Sequence, residues 1–179
     1  MNKQSLSSQV ILDAPKIQGT LNRLAREIAD SLPAGIPVGV IGIRRRGEVL
    51  AGRLIEAFKA LGLSGMKHGT LDITLYRDDL AELGPQAVLR KTEIDFPIDG
   101  MYIILVDDVL FTGRSGRAAL DALIDLGRPK AIRLAVLVDR PGRELPIQAD
   151  FVGVRVPRED VPVTVLLRES DQVEEVRVG

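Results

Sequence analysis

The stretch Val106-Asp107-Asp108-Val109-Leu110-Phe111-Thr112-Gly113-Arg114-Ser115 decides how this chain is read. Before it, the apolar run Met101 to Val106 predicts a buried strand. After it, Gly116 to Gly127 predicts a helix with Leu120, Leu123, Ile124 and Leu126 largely on one side. Asp107 and Asp108 therefore stand at the carboxyl end of a strand, where open parallel sheets bind their ligands. Thr112-Gly113-Arg114-Ser115-Gly116 adds the backbone N–H groups of a glycine-containing turn, two hydroxyls and a helix N-terminus, which together suit a phosphate monoester. The two carboxylates ahead of that turn can accept hydrogen bonds from vicinal ribose hydroxyls, and can hold Mg²⁺ directly or through water. One short segment thus matches a ribose 5-phosphate. The bland alternative is a turn capped by Asp-Asp followed by an ordinary helix start. Neither a Walker-A lysine loop nor a Gly-x-Gly-x-x-Gly fingerprint is present.

Working outward, the elements alternate. Val10-Ile11-Leu12 is a short apolar run, with Asp13 placed as a helix N-cap and Pro15 in the first turn. Ile17, Leu21, Leu24, Ile28 and Leu32 then mark one apolar helix face. Ile36 to Ile41 reads as a buried strand, followed by the loop Gly42-Ile43-Arg44-Arg45-Arg46-Gly47 and a helix through about Leu61. Thr70 to Tyr76 alternates as a strand does, and Arg77 to Pro97, with Gly84-Pro85 inside it, reads as a long mobile loop of the kind that forms lids. Ala131 to Val138 predicts another strand; Phe151–Val156, Val161–Leu167 and Val173–Val178 predict short strands or a closing hairpin. Strands alternating with helices imply an α/β fold with a mainly parallel central sheet covered on both faces.

Composition narrows the chemistry. The 179 residues are 45% hydrophobic, enough for a sizeable core, and 27% charged, with a formal net charge of -1. No global positive field draws the chain to nucleic acid or to an anionic membrane, so any RNA contact must be a local patch. The absence of cysteine removes disulfides, thiolate nucleophiles and Cys-based zinc sites. The single histidine, His68, builds no cluster and reads as a polar residue of the Gly65–Gly69 turn region. Without a signal-peptide core or an apolar run of about 18 residues, a soluble cytoplasmic protein is the expectation.

The segment Val106 to Ser115 resembles the phosphoribosyl pyrophosphate (PRPP) signature of type I phosphoribosyltransferases. Asp72 to Leu80, Leu134 to Arg140 and Arg143 to Ile147 closely resemble the PyrR family within that superfamily, and the likeness runs from about Val10 to Gly153. It implies the type I phosphoribosyltransferase fold over residues 1–179 as a single domain, with a mobile lid loop and a small hood. It implies a uracil phosphoribosyltransferase that converts uracil and PRPP to UMP and pyrophosphate, with Mg²⁺ on the donor. It also implies regulation of the pyrimidine operon, through UMP- or UTP-dependent binding of leader mRNA and transcription attenuation. A homo-oligomer, dimer or larger, is expected. Under this resemblance Asp107 and Asp108 bind the ribose hydroxyls, favour positive charge on the sugar and are the candidates for metal contact. Thr112, Gly113, Arg114 and Ser115 hold the 5-phosphate. Arg44, Arg45, Arg46 and Gly47 receive pyrophosphate, in a loop for which the family implies a strained, cis peptide. Arg77, at the mouth of the lid, adds a charge on closure or else pairs with Asp78 or Asp79. Uracil lies around Val138, Asp139 and Arg140.

For RNA, the family's first helix implies Lys16, Asn22, Arg23 and Arg26; Lys16, Arg23 and Arg26 fall within about 80° on a helical wheel. A charged face is also what any surface helix shows. Taken alone, three loop arginines are more often a solvated or RNA-facing patch; following the first strand of this fold, the pyrophosphate reading takes precedence. The chain departs from the family where Asp139-Arg140-Pro141-Gly142 replaces Asp-Arg-Gly-His, and where Val154 to Glu159 replaces Lys-Asn-x-Pro-Thr-Ser. Arg155 and Arg158 are the candidates to compensate for Val154. Arg44-Arg45 stands where a Lys- or His-Thr pair is usual, which adds charge. Two other readings stay open: a nucleotide-sensing RNA-binding regulator with weak or no catalysis, and a phosphoribosyltransferase for another base.

Overall fold

The computed structural model describes residues 8–83 and 90–179. Strand β1 (Gln9–Asp13) runs directly into helix α1 (Ala14–Ser31), because the Asp13 carboxylate accepts a hydrogen bond from the Lys16 amide at 3.1 Å and Pro15 fits the first turn. The helix buries Ile17, Leu21, Leu24 and Ile28 of the predicted face together with Ala25, whereas Leu32, the last residue of that face, follows the helix as its cap and is half-buried.

Five strands follow in one parallel sheet: β2 (Val38–Ile43), β3 (Lys67–Leu71), β4 (Tyr102–Leu110), β5 (Ala131–Asp139) and β6 (Phe151–Arg155), in spatial order β3-β2-β4-β5-β6. Alternate residues face opposite sides. Val40, Ile104, Val106, Ala135 and Leu137 enter one core with α1 and helix α2 (Arg46–Ala60). Ile41, Ile103, Leu105, Leu134 and Val136 enter a second core with helix α4 (Arg114–Leu126). Both faces are covered, as a parallel sheet requires.

A separate antiparallel sheet, in order β1-β8-β7, joins β1 to β7 (Val163–Leu166) and β8 (Glu175–Val178), with the single helical turn α5 (Arg168–Asp171) between the last two. The last two predicted strands are thus the hairpin, and β6 instead extends the parallel sheet as its edge.

Chain direction explains where a ligand fits. From β2 the chain passes through α2 to β3 on one side, then returns to β4 on the other and continues through α4 to β5. The strand order reverses between β2 and β4, and a crevice opens beyond their carboxyl ends.

Several local expectations are corrected. β2 persists through Ile43 and α2 begins at Arg46, so the first loop is only Arg44-Arg45. β4 persists through Leu110, placing Asp107 and Asp108 within the strand, and α4 begins at Arg114. His68 lies in β3, exposed, and not in a turn. β3 stops at Leu71, because the Asp72 carboxylate accepts hydrogen bonds from the Thr74 amide (3.0 Å) and hydroxyl (2.6 Å) and turns the chain into a 3₁₀ turn, Thr74–Tyr76. Within the expected loop, α3 (Leu80–Leu83) is helical, and Glu93 bridges back to Thr70 through backbone hydrogen bonds of 2.9 and 2.8 Å. Gly84-Pro85, singled out within that loop, lies outside the described residues. On α4, Ile124 and Leu126 are exposed, since Ala118, Ala119, Ala122 and Leu123 form the buried face.

Candidate active site

The crevice is assembled by two close approaches of backbone. A Cβ on Gly42 would collide with the Gly47 carbonyl and lie 2.5 Å from the Glu48 Cα. A Cβ on Gly47 would overlap the Val106 carbonyl oxygen and lie 3.1 Å from the Asp107 Cα. Only glycine at these positions lets the first turn of α2 rest on β4. Arg46 is thereby brought beside Asp108.

Asp107 and Asp108 are consecutive on β4, where Asp107 is opposite Val136 of β5. An Asp107 carboxylate oxygen accepts the Asp108 amide at 2.9 Å, and Asp108 accepts the Val109 amide at 2.8 Å. Both are half-buried by surface area, yet sit deep enough among protein atoms that lost hydration raises their pKa values. For Asp107, desolvation and then the charge of Asp108 hold it well above the ordinary carboxylate range. Asp108 is also raised by desolvation, but the Val109 amide and the Arg46 charge restrain it. The pair therefore favours a neighbour that donates hydrogen bonds or carries positive charge.

Downstream, Gly113 adopts φ 92° and caps α4. This left-handed turn suits glycine. The Thr112 hydroxyl accepts the Arg114 amide at 3.3 Å, and the Thr112 carbonyl accepts the amides of Glu144 (2.9 Å) and Leu145 (3.1 Å). Among the described residues, the amides of Gly113, Ser115 and Gly116 meet no acceptor, as expected of a helix start awaiting an anion. Together with Asp107 and the Thr112 turn they line a cavity of about 150 Å³. The Arg114 side chain turns away, pairing with Asp78 (2.5 Å) and Glu144 (2.7 Å).

The three loop arginines separate. The Arg44-Arg45 peptide is cis, in line with the family expectation. Arg44 turns toward β3, donating to the Thr70 hydroxyl at 3.1 Å and pairing with Glu48 (3.2 Å) and Glu93 (3.4 Å). Arg45 is exposed, and among the described residues it forms no ion pair. Arg46 grips Asp171, with Nε at 3.0 Å and Nη2 at 2.8 Å from the two carboxylate oxygens. Arg77 makes a two-point contact with Asp79 at 2.8 and 2.6 Å, the pairing weighed from the sequence.

At the end of β5, Val138 is buried and Asp139 accepts Arg143 at 2.6 Å, with Arg155 3.7 Å away. The Arg140 side chain is buried over the Phe111 ring and donates to the Glu159 carbonyl at 2.9 Å. On α1, Lys16, Asn22, Arg23 and Arg26 are all exposed. Lys16 is 4.0 Å from Asp13, Asn22 accepts Gln18 at 3.0 Å, and Arg23 pairs with Glu27 at 2.6 Å while also donating to the Gly153 carbonyl.

Three participants escaped sequence reasoning as site residues: Phe111, Arg143 and Asp171. Arg143 donates to the Phe111 carbonyl as well as to Asp139, tying the end of β5 to the Thr112–Gly113 turn. Asp171 meets Arg46 from 125 positions away, with no local signal.

The phosphoribosyl transferase domain family matches residues 7–167. The bifunctional protein PyrR of Pelotomaculum thermopropionicum is 51% identical over 169 residues, covering 93% of this chain and 92% of its own length. That of Chloroflexus aurantiacus is 52% identical over 167 residues, covering 93% and 92%. A hypoxanthine-guanine phosphoribosyltransferase crystal structure from Bacillus anthracis aligns with TM-score 0.72 at 21% identity, over 96% of this chain and 98% of that one. The hypoxanthine phosphoribosyltransferase of Trypanosoma cruzi aligns with TM-score 0.72 at 18% identity, covering 95% of both chains. At these low identities the two structures establish the type I phosphoribosyltransferase fold, and the close relatives establish the rest: the chain belongs to the PyrR family of the type I phosphoribosyltransferases.

Proposed function

We propose that this chain is a uracil phosphoribosyltransferase that converts uracil and PRPP to UMP and pyrophosphate, and that it acts as one domain in the cytoplasm. The observation that carries the reading is the junction at the strand reversal, where Gly47 seats the arginine loop on β4 beside Asp107 and Asp108, with the free amides of Gly113, Ser115 and Gly116 downstream.

Breaking the bond at the anomeric carbon develops oxocarbenium character, so the site needs no covalent nucleophile; it positions and stabilises. Asp107 and Asp108 accept the ribose hydroxyls and favour positive charge on the sugar. Thr112, Gly113 and Ser115 hold the 5-phosphate through amides and hydroxyls, with the Arg114 amide at the helix start. Arg45 and Arg46 face the departing pyrophosphate, whose charge grows as the bond breaks, and Arg44 adds its charge from its place against β3. Arg77 adds charge at the mouth. The base lies against the backbone at Val138 and Asp139, with Arg140 acting from behind through Phe111.

Mg²⁺ enters as part of the donor. Asp107 and Asp108 fit it, since both carboxylates are raised by desolvation and their charge is eased by a nearby cation. Among the described residues no group of three or more acidic or histidine side chains forms a cage of its own, so donor oxygens would supply most ligands. When bound, the ion neutralises pyrophosphate charge. Release of pyrophosphate that requires both uracil and PRPP tests the assignment. Release with hypoxanthine and not uracil would assign a different base, and no release with any base would refute catalysis.

A second activity is favoured by the relatives, which are named bifunctional. We infer binding of pyrimidine-operon leader mRNA, strengthened by UMP or UTP, on the exposed face of α1 that carries Lys16, Asn22, Arg23 and Arg26, in a homo-oligomer. Salt-sensitive RNA affinity that responds to UMP and falls on Arg23→Ala with Arg26→Ala supports it. Affinity indifferent to both rejects it.

A further inference from the structure

We propose that Asp171 is a positioning residue for phosphoribosyl transfer, reaching from the C-terminal hairpin to hold Arg46 at the mouth between the arginine loop and Asp108. The inference rests on the donor-site reading above and adds to it a residue that lies beyond residue 167, where the domain match ends.

Asp171 is itself rigidly held. One carboxylate oxygen accepts the Leu167 amide at 2.9 Å, the Ser170 hydroxyl at 2.8 Å and Arg46 Nε at 3.0 Å; the other accepts Arg46 Nη2 at 2.8 Å. The segment around it is docked on α2 a second time, two helical turns on, by Arg53, which pairs with Glu169 at 2.6 Å and Glu174 at 2.5 Å. A carboxylate fixed by its own backbone and hydroxyl is a reference point, and a two-point grip sets the plane of the guanidinium as well as its position.

The grip also leaves the arginine with capacity. Nε and Nη2 serve Asp171, while Nη1 makes no hydrogen bond among the described residues and remains for another acceptor. Arg46 begins α2 at the point where Gly47 touches β4, and its charge acts on Asp108. Arg44 and Arg45 lack this arrangement, one being turned onto β3 and the other exposed. Arg44 is also held, but toward β3; of the three, Arg46 is the one fixed beside Asp108 with a nitrogen left over, and such preset orientation is what an electrostatic contribution to bond breaking requires.

The test is a double-mutant cycle on the full chain, with Mg²⁺-pyrophosphate and PRPP as titrants in calorimetry and KM values from the transfer assay. Asp171→Asn keeps the shape of the side chain and removes its charge; Asp171→Ala removes the grip. Both should weaken pyrophosphate about 10-fold or more, the scale seen when a supporting residue behind a ligand-binding group is lost. The KM for PRPP should rise while that for uracil is retained, and Asp171→Glu should recover part of the loss. Arg46→Ala combined with Asp171→Ala should bind no worse than Arg46→Ala alone. Glu169→Gln loosens the same segment without touching Arg46, and should bind pyrophosphate as the unaltered chain does. Unchanged or tighter pyrophosphate binding in both Asp171 variants, or losses that add in the double variant, would overturn the assignment. Pyrophosphate and PRPP binding to the unaltered chain is measured first, and its absence would reject the donor site itself, separately from any role of Asp171.

Discussion

The Arg140 guanidinium lies over the Phe111 ring, 4.1 Å from its centroid, so a buried cation at the end of β5 supports an exposed aromatic of the phosphate turn. The contact couples the two loops that flank the crevice. Removing it by Arg140→Ala also abandons the hydrogen bond to the Glu159 carbonyl, and should cost about 2 kcal/mol. Gly142→Ala presses on the same ring, because a Cβ there would overlap its Cε2 atom and the residue has φ 106°. Both variants should lower Tm and weaken PRPP, measured by thermal denaturation and calorimetry; a variant with unchanged values of both would show the stack to be dispensable.

The raised carboxylates predict that activity and stability oppose one another at Asp107. A carboxyl whose folded pKa lies above its ordinary value near 3.8 contributes stability that is full below that value and lost as pH rises through the folded pKa. Asp107→Asn should therefore raise Tm at neutral pH, with the gain shrinking toward pH 4. The same substitution should lower kcat/KM by about 100-fold, the scale of losing one electrostatic contact to the reacting centre. Melting curves at several pH values and a pyrophosphate-release assay check the two halves independently.

Gly47→Ala should be among the most damaging single changes in the chain. The new methyl meets backbone, which cannot rotate away as a side chain can. Shifting α2 off β4 disturbs the core around Leu50, Ala51 and Leu54, and a loss of more than about 2 kcal/mol is expected. Urea denaturation would register it as a fall in midpoint at constant slope.

Arg77 offers the opposite profile. Its pair with Asp79 lies at the surface, where such contacts add little to stability. Arg77→Ala should leave Tm nearly unchanged while lowering kcat by about 10-fold, if its charge reaches the donor on closure. Unaltered kcat would assign Arg77 to the surface pair alone.

What could be read from the chain follows the range of each interaction. The N-cap at Asp13, most of the apolar face of α1 and the existence of the buried strands β2, β4 and β5 are local patterns that the sequence places, although β2 and β4 both run further than their apolar stretches. So is the phosphate turn, since Gly113 supplies the left-handed residue and Thr112 the cap within a few positions. The extent of β4 was underestimated because a pair of aspartates resembles a strand end, whereas its pairing with β5 carries the ladder through Leu110. Asp72 ended a strand early by capturing Thr74, which a count of alternating residues does not weigh. Ile124 looked buried beside Leu123, but three alanines let α4 approach the sheet along a neighbouring stripe. Arg46 with Asp171, and Arg140 with Phe111, are partnerships of tertiary origin that no spacing announces.

The strand order carries a consequence for how such a protein can diversify. The crevice floor is made by β2 and β4, each bonded on both flanks, so a change there disturbs two neighbours at once. β6 is an outer strand with a single parallel partner, and the turn after β5 lies beside it. A substitution at Pro141-Gly142 or in the segment after Gly153 therefore meets fewer backbone neighbours than one in the crevice floor. Tolerance to change is graded across the sheet, least at its centre and greatest at the β6 margin.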